Sequence, residues 1–450
     1  MALIEPRTLK GFRDYLPEAM IPRERLIDTA RTVYRSYGFS PIDTPALEYE
    51  EILTGKGGEE SDKQMYRFED NGGRKVALRF DLTIPLARFA AQHINELGTP
   101  FKRYHIASVW RGENTQRGRY REFMQCDFDT IGTESIVSDI EMVLVVHDLL
   151  RAIGFEKFTI RVNNRKLLAG LLEGVGIQDG QAAVLRCIDK LDKQGRAKVE
   201  EELQSVCGLT PQGVRNVMLL TAEPEGSLAA PEQLAAIDPT LVGLIKSTAS
   251  GRAGWEQLEA VVSNVCATLG NAQRVRVDLS IARGLDYYTG TVLETSLDDL
   301  PGIGSVCSGG RYDDLAQLYT KQRLPGIGAS LGLDRLLSAM EELGMLEKRR
   351  TGAKVFLAYF DASRLHDYLK LARDIRALGL GVELYPEPKK LDAQLKYADK
   401  RGFEIALVLG ESEWNGNTCQ VKQLATRQST LVDVRDASGA LSPELRALLA

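Results

Sequence analysis

Arg283-Gly284-Leu285-Asp286-Tyr287-Tyr288-Thr289-Gly290-Thr291-Val292 packs an arginine, an aspartate and two adjacent tyrosines into a strand-like run. Side chains of a strand alternate between faces, so Tyr287 and Tyr288 are expected to point to opposite sides. A run with this many polar tips is not built only to fill a core. One reading is a sheet with satisfied tyrosine hydroxyls and a surface arginine. The other is a pocket wall, where Arg283 meets an anion and a tyrosine hydroxyl meets a polar ligand. Ser308-Gly309-Gly310-Arg311-Tyr312-Asp313 follows shortly, and its paired glycines would let a ligand lie against bare backbone.

Upstream, Leu78-Arg79-Phe80-Asp81-Leu82-Thr83-Ile84-Pro85 reads as another strand. If Arg79, Asp81 and Thr83 share a face, they offer a carboxylate and a hydroxyl, the acceptors an ammonium group requires; the alternative is a solvated strand face. Phe101 to Trp110 reads as a strand that returns from Met124 to Phe128. The turn between them concentrates Arg111, Arg117, Arg119 and Arg121 beside Phe123. Arginine suits bidentate phosphate contact and the phenyl ring could stack a base. Gln125 and Asp129 follow at alternate spacing and would stand beside Asp81 and Thr83 if the strands are neighbours. Small residues from Gly326 to Gly332 then lead into a helix carrying Arg335 in its first turn. A cation there opposes the helix dipole, which points to a phosphate or purine partner or to a surface salt bridge.

The remaining chain supplies the frame. A helix from about Pro22 has Leu26, Ala30, Val33 and Tyr37 on one face and stops at Gly38. The run from Phe39 to Leu47 carries Pro41 and Pro45, which confine a strand to a sheet edge. It is either a self-pairing surface or an ordinary helix–strand unit. The helix from Ile136 to Ile153 bears His147 on its apolar stripe; His93, His105 and His366 are unpartnered in sequence, and none is assigned chemistry. From about Val175 to Gly254 short helices and polar loops take over, with Thr210-Pro211 as a helix start. Glu347 to Gly352 reads as a linker. Beyond it, strands Val355–Tyr359, Val382–Tyr385 and Ile405–Leu409 alternate with helices Leu365–Leu378 and Leu391–Arg401, the pattern of a small α/β domain on a largely parallel sheet.

Composition narrows the class. With 450 residues, 44% of them hydrophobic, two or three domains are expected. The 57 basic and 62 acidic residues give a net charge of −5, so any nucleic-acid surface must be a local patch. Six scattered cysteines without a Cys-x-x-Cys pair, and four histidines, suit neither a disulfide framework nor a structural zinc site. Met1 to Lys10 holds no apolar signal core and no stretch is long enough to span a membrane, so a cytoplasmic protein is expected. Thr54-Gly55-Lys56-Gly57 lacks the glycine spacing of a P-loop ATPase.

Taken in order, Leu78–Thr83, Arg111–Asp129, Arg283–Thr289, Gly309–Asp313 and Gly332–Arg335 resemble the signatures of histidyl-tRNA synthetases, a class II aminoacyl-tRNA synthetase family. The resemblance runs from Gly11 to about Val434. It implies an α+β catalytic domain built on an antiparallel sheet at 1–345, with a helical insertion at about 175–254. A linker at 346–352 and a C-terminal α/β anticodon-binding domain at 353–450 would follow. The implied partners are histidine, ATP, Mg²⁺ on the β- and γ-phosphates, the tRNA for histidine and a second copy of the chain, with Pro45 at the dimer interface. By resemblance, Arg111 holds the α-phosphate, Arg119 and Arg335 the γ-phosphate, and Glu113 the adenine or a metal, while Phe123 stacks the purine. Arg283 lies across the carboxylate and α-phosphate. Asp81, Thr83 and Gln125 receive the amino group; Asp129, Tyr287 and Tyr288 surround the imidazole over a floor of Gly309 and Gly310, with Tyr312 nearby. Ser308 and Gly112 depart from the family's usual residues, and Met124-Gln125-Cys126-Asp127-Phe128-Asp129 resembles its eukaryotic and archaeal branch. The competing family-level reading is the non-catalytic, histidine-binding regulatory paralogue, which typically lacks the anticodon-binding domain and erodes these arginines. A synthetase-like module attached to a kinase would need a kinase segment, and none is present.

Overall fold

The computed structural model describes residues 3–54, 63–221, 230–270, 274–282, 284, 287–346, 350–434 and 442–449. Contacts divide the chain into two units: the N-terminus to Arg13 with Leu26–Gly344, and Asp14–Arg25 with Met345 onward. Arg283, Gly55 to Gly57 and linker residues 347–349 lie outside the described residues.

The helix α1 (Pro17–Ser36) enters the first unit at Leu26, and the chain continues there with β1 (Ser40–Pro41), β2 (Leu47–Tyr49), α2 (Glu50–Leu53), β3 (Arg67–Glu69), β4 (Lys75–Leu78) and α3 (Thr83–Leu97). It continues with β5 (Phe101–Trp110), β6 (Glu122–Ile131), α4 (Ile136–Ile153), β7 (Phe158–Asn164) and α5 (Arg165–Gly174). Then come α6 (Gln181–Ile188), α7 (Leu191–Gln194), α8 (Arg196–Ser205), α9 (Pro211–Met218), α10 (Ala230–Ala236), α11 (Pro239–Lys246) and α12 (Ala249–Leu269). The unit closes with β8 (Val275–Val277), β9 (Thr291–Leu297), β10 (Cys307–Tyr312), β11 (Gly326–Gly332) and α13 (Leu333–Glu342). α1 starts at Pro17 and not at Pro22, which lies inside it.

Eight strands form one sheet in the order β1-β5-β6-β11-β10-β9-β7-β8. Its central pairs are antiparallel; only the marginal pairs β1–β5 and β7–β8 are parallel. The proline-bearing β1 lies at the edge, as proline's missing donor requires. Alternation along β6 sorts its two faces. Phe128 is buried and meets the Tyr34 ring of α1 at 5.0 Å, and the Tyr34 hydroxyl donates to the Cys126 carbonyl at 3.0 Å. The odd-numbered residues of β6 point the other way. Thr210 caps α9 through the Gly213 N–H at 3.1 Å with Pro211 next, matching the expected helix start.

The second unit continues with β12 (Val355–Leu357), α14 (Leu365–Ala377), β13 (Val382–Leu384), α15 (Leu391–Arg401), β14 (Ile405–Val408), α16 (Glu411–Gly416), β15 (Thr418–Gln423), β16 (Ser429–Asp433) and α17 (Pro443–Leu449). Its sheet order is β13-β12-β14-β15-β16, with the first three parallel and the last two added antiparallel. Val355, Leu357 and Leu407 enter one core, and Phe356, Ala406 and Val408 the other. A strand buried on both faces needs this continuous apolar run. The sequence pattern shows the parallel part; β15 and β16 are too polar to stand out.

Candidate active site

The odd-numbered face of β6 presents Phe123, Gln125, Asp127 and Asp129, and all four line a cavity of about 320 Å³. Across the sheet Gln125, Asp127 and Asp129 pair in register with Gly332, Ser330 and Gly328 of β11, and Ser330 pairs with Ser308 of β10. Gly328 is required here: a Cβ on it would stand 2.0 Å from Asp129 Oδ1. The same wall carries Asp81, Thr83, Arg111, Glu113, Arg119, Tyr287, Tyr288, Tyr312 and Arg335. The cavity thus joins every sequence-predicted site residue except Gly309 and Gly310, with Arg283 outside the described residues.

Three local expectations change. Asp81 and Thr83 are not on a strand: β4 ends at Leu78 and Thr83 opens α3. Asp81 Oδ1 accepts from the Ile84 N–H at 3.0 Å, a capping geometry that short carboxylates favour at helix starts. Arg79 leaves this face and donates from Nε to the Ser108 carbonyl at 3.0 Å. Tyr287 and Tyr288 lie side by side, with ring centroids 4.4 Å apart and hydroxyls at 3.3 Å. The chain turns at Gly284, whose φ is +66°, and β9 begins only at Thr291, so strand alternation does not apply. Gly309 and Gly310 are not a bare floor. A Cβ on Gly310 would meet Tyr288 Cδ1 at 2.8 Å, and one on Gly309 would meet the Gly328 carbonyl at 2.3 Å. These glycines admit a tyrosine ring and a neighbouring strand.

Beneath the wall lies Arg103, fully buried, which reaches Asp129 Oδ2 at 2.7 Å. The Tyr312 hydroxyl donates to Asp129 Oδ1. Burial raises the Asp81 and Asp129 pKa values, and the Asp127 carboxyl is pushed up to about 7 by burial, with Arg103 opposing and Asp129 adding. Burial also raises Tyr287, to about 12, and lifts Tyr288 and Tyr312 well above the usual tyrosine value. At neutral pH these tyrosines are hydroxyl donors. Gln125 Oε1 and Asp127 Oδ1 are buried without a protein donor. A cationic donor from a ligand would satisfy both, since leaving such acceptors unpaired is costly.

The opposite end is cationic. Arg111 donates from Nε to the Phe80 carbonyl at 2.9 Å and lies 5.1 Å over the Phe123 ring. Arg119 Nη1 stands 3.6 Å from Glu113 Oε2. Arg335 anchors one guanidinium nitrogen on the Ser305 carbonyl. Asp334, in the same helical turn, accepts from the Met124 N–H at 2.8 Å and from Arg13 at 3.1 Å, tying the hairpin to α13. Sequence reading missed Asp127, Ser330 and Arg103. Alternation along β6 could have found Asp127; the other two depend on pairing between distant strands.

A family model described as histidyl-tRNA synthetase matches residues 11–336, and a second, described as anticodon binding domain, matches 354–443. The chain belongs to the histidyl-tRNA synthetase family.

Curated histidyl-tRNA synthetase relatives, named histidine–tRNA ligase, agree along nearly the whole chain. The protein from Rhodopirellula baltica is 59% identical over 95% of both chains, and that from Wolinella succinogenes 47% identical over 94% of this chain and 95% of its own. A crystal structure of histidyl-tRNA synthetase from Nostoc sp. PCC 7120 superposes with a TM-score of 0.87 at 34% identity, covering 96% of this chain and 97% of that one. The architecture is therefore class II, with a C-terminal anticodon-binding domain on its own sheet.

Proposed function

We propose that this chain activates histidine with ATP and transfers it to the tRNA for histidine. The observation that carries this reading is the single cavity that joins an arginine-rich end to an acidic, tyrosine-lined end. A histidine carboxylate oxygen attacks the α-phosphorus of ATP, and the bond from that phosphorus to the β-bridging oxygen breaks, releasing pyrophosphate. The terminal adenosine of the tRNA then takes the histidyl group from the adenylate, releasing AMP. Such chemistry needs alignment and charge stabilisation more than a protein base.

Arg111 and Arg283 are assigned to the α-phosphate and carboxylate, Arg119 and Arg335 to the γ-phosphate, and Phe123 to the purine. Asp81, Thr83, Gln125 and the newly placed Asp127 receive the ammonium group; Asp129, Tyr287, Tyr288 and Tyr312 shape the imidazole pocket. Glu113, a carboxylate beside Arg119 in the cavity, has the donor type Mg²⁺ uses together with substrate phosphates, and would hold the ion there. Mg²⁺ would supply charge neutralisation on the β- and γ-phosphates.

We assign residues 1–345 to catalysis, about 175–254 to a helical insertion, 346–352 to a linker and 353–450 to anticodon reading. Leu47, Tyr49 and Phe68, exposed on the β2-β4-β3 sheet, support a homodimer that covers them. No helix among the described residues is long and apolar enough to cross a membrane; a cytoplasmic location is part of this reading. Histidine-dependent exchange of labelled pyrophosphate into ATP is the deciding measurement. Exchange supports the ligase, whereas histidine binding without exchange would assign the chain to the regulatory paralogues.

A further inference from the structure

Cys187, in the last turn of α6, and Cys207, just beyond α8, bring their sulfurs to 3.6 Å across a separation of 20 positions. Cys187 is buried and Cys207 half-buried. The Cys207 N–H donates to the Glu202 carbonyl at 3.3 Å, which holds Cys207 on the end of α8. Lys190 Nζ, held 2.8 Å from Glu202 Oε2, acts electrostatically on both cysteines. At Cys187 the Glu202 carboxylate opposes the thiolate and the Lys190 ammonium favours it. Burial, with the contact to Cys207, raises the Cys187 thiol, so the more exposed Cys207 is the entry point and Cys187 the resolving group.

We propose that Cys187 and Cys207 form a reversible disulfide that latches α6 to the end of α8, with a low-molecular-weight disulfide such as oxidised glutathione as oxidant. The Cys207 thiolate attacks one glutathione sulfur and expels the other as a thiolate. Cys187 sulfur then attacks Cys207 sulfur and expels the second glutathione. Two protein thiols are oxidised, one glutathione disulfide is reduced to two thiols, and the released thiolates take up the two protons. Sulfur atoms already in contact need only side-chain rotation and a small shift to reach the bonded distance of about 2.05 Å. The latch encloses α7, whose Leu191 lines a second cavity of about 770 Å³ together with Arg161, Arg276 and Asp278. Closure therefore tethers one wall of that cavity. None of the residues lining the catalytic cavity falls between 187 and 207.

The test uses the full chain equilibrated at graded ratios of reduced to oxidised glutathione, acid-quenched, alkylated after denaturation and weighed by mass spectrometry. The expected oxidised species has lost two of its six alkylatable thiols, yields a peptide joining 187 to 207 and reverts with dithiothreitol. Its backbone amides between 188 and 206 exchange more slowly with deuterium, while pyrophosphate exchange is unchanged. Cys187→Ser should accumulate a mixed glutathione disulfide at Cys207 under the same conditions, and Cys207→Ser should take up none. Retention of all six thiols at every ratio, or a stable glutathione adduct at Cys207 in the unaltered protein, would overturn the proposal. The thiol count is independent of catalysis, so its failure leaves the ligase reading standing.

Discussion

Arg103 and Asp129 stand directly opposite each other in the β5–β6 pair, and Arg103 Nη2 comes within 2.7 Å of Asp129 Oδ2. Neither has meaningful access to water. A buried cation placed under the wall thus orients an acid that faces the cavity, while Tyr312 holds its other oxygen. Arg103→Met should destabilise the fold by about 3–5 kcal/mol, because removing one partner leaves the other charge buried and uncompensated. Urea unfolding without ligands measures this, and Arg103→Met with Asp129→Asn should recover part of the loss. An unchanged midpoint in the single variant would show that the pair does not hold the wall.

Gly310→Ala tests whether the glycine pair makes room for Tyr288. The added methyl would fall 2.8 Å from both Tyr288 Cδ1 and the Thr291 carbonyl, and such overpacking costs about 1–3 kcal/mol. The ring should shift within the amino-acid end of the cavity. The expected outcome is a higher KM for histidine with little change in KM for ATP, read from exchange kinetics at varied concentrations of each. Equal effects on both would place the damage elsewhere.

Asp127 supplies a pH signature. Its folded pKa lies near 7, above the value of about 3.9 expected unfolded, so the folded state binds the extra proton. Its contribution to stability is complete below the unfolded value and is lost as pH rises through about 7. Its ionised form is the better ammonium acceptor, so histidine binding should tighten over the same interval. Asp127→Asn should therefore be more stable than the parent at pH 8, yet bind histidine more weakly and with a flatter pH dependence. Calorimetric binding of both proteins from pH 6 to 8 checks this, the comparison cancelling the titration of histidine's own imidazole. Parallel pH profiles would remove Asp127 from ammonium recognition.

Arg283→Ala should abolish adenylate formation on a folded protein. Arg283 belongs to the sequence signature that contains the cavity's two tyrosines, where negative charge must be held during attack. Loss of one preorganised donor costs roughly 10²–10³ in rate, and an arginine proposed to serve two anionic groups should reach or exceed that. Near-normal pyrophosphate exchange would end the assignment.

Much of the site was legible in one dimension. Alternation placed Gln125 and Asp129 on one face of β6, the cluster of Arg111, Arg117, Arg119 and Arg121 marked the hairpin between β5 and β6, and the strand–helix rhythm beyond Gly352 marked the C-terminal α/β pattern. These signals are local, because side-chain period and helix capping act within a few residues. The tertiary structure decided the rest. It made Asp81 a helix cap, set Tyr287 and Tyr288 side by side through a turn at Gly284, and converted Gly310 from a ligand floor into space for a ring. It also brought Arg103 under Asp129 and Gly328 beside it. Which residues meet across a sheet is fixed by strand register, and register here joins segments up to about two hundred residues apart. A sequence read alone carries the period of each strand but not the offset between strands, and that offset determines which charges share one buried space.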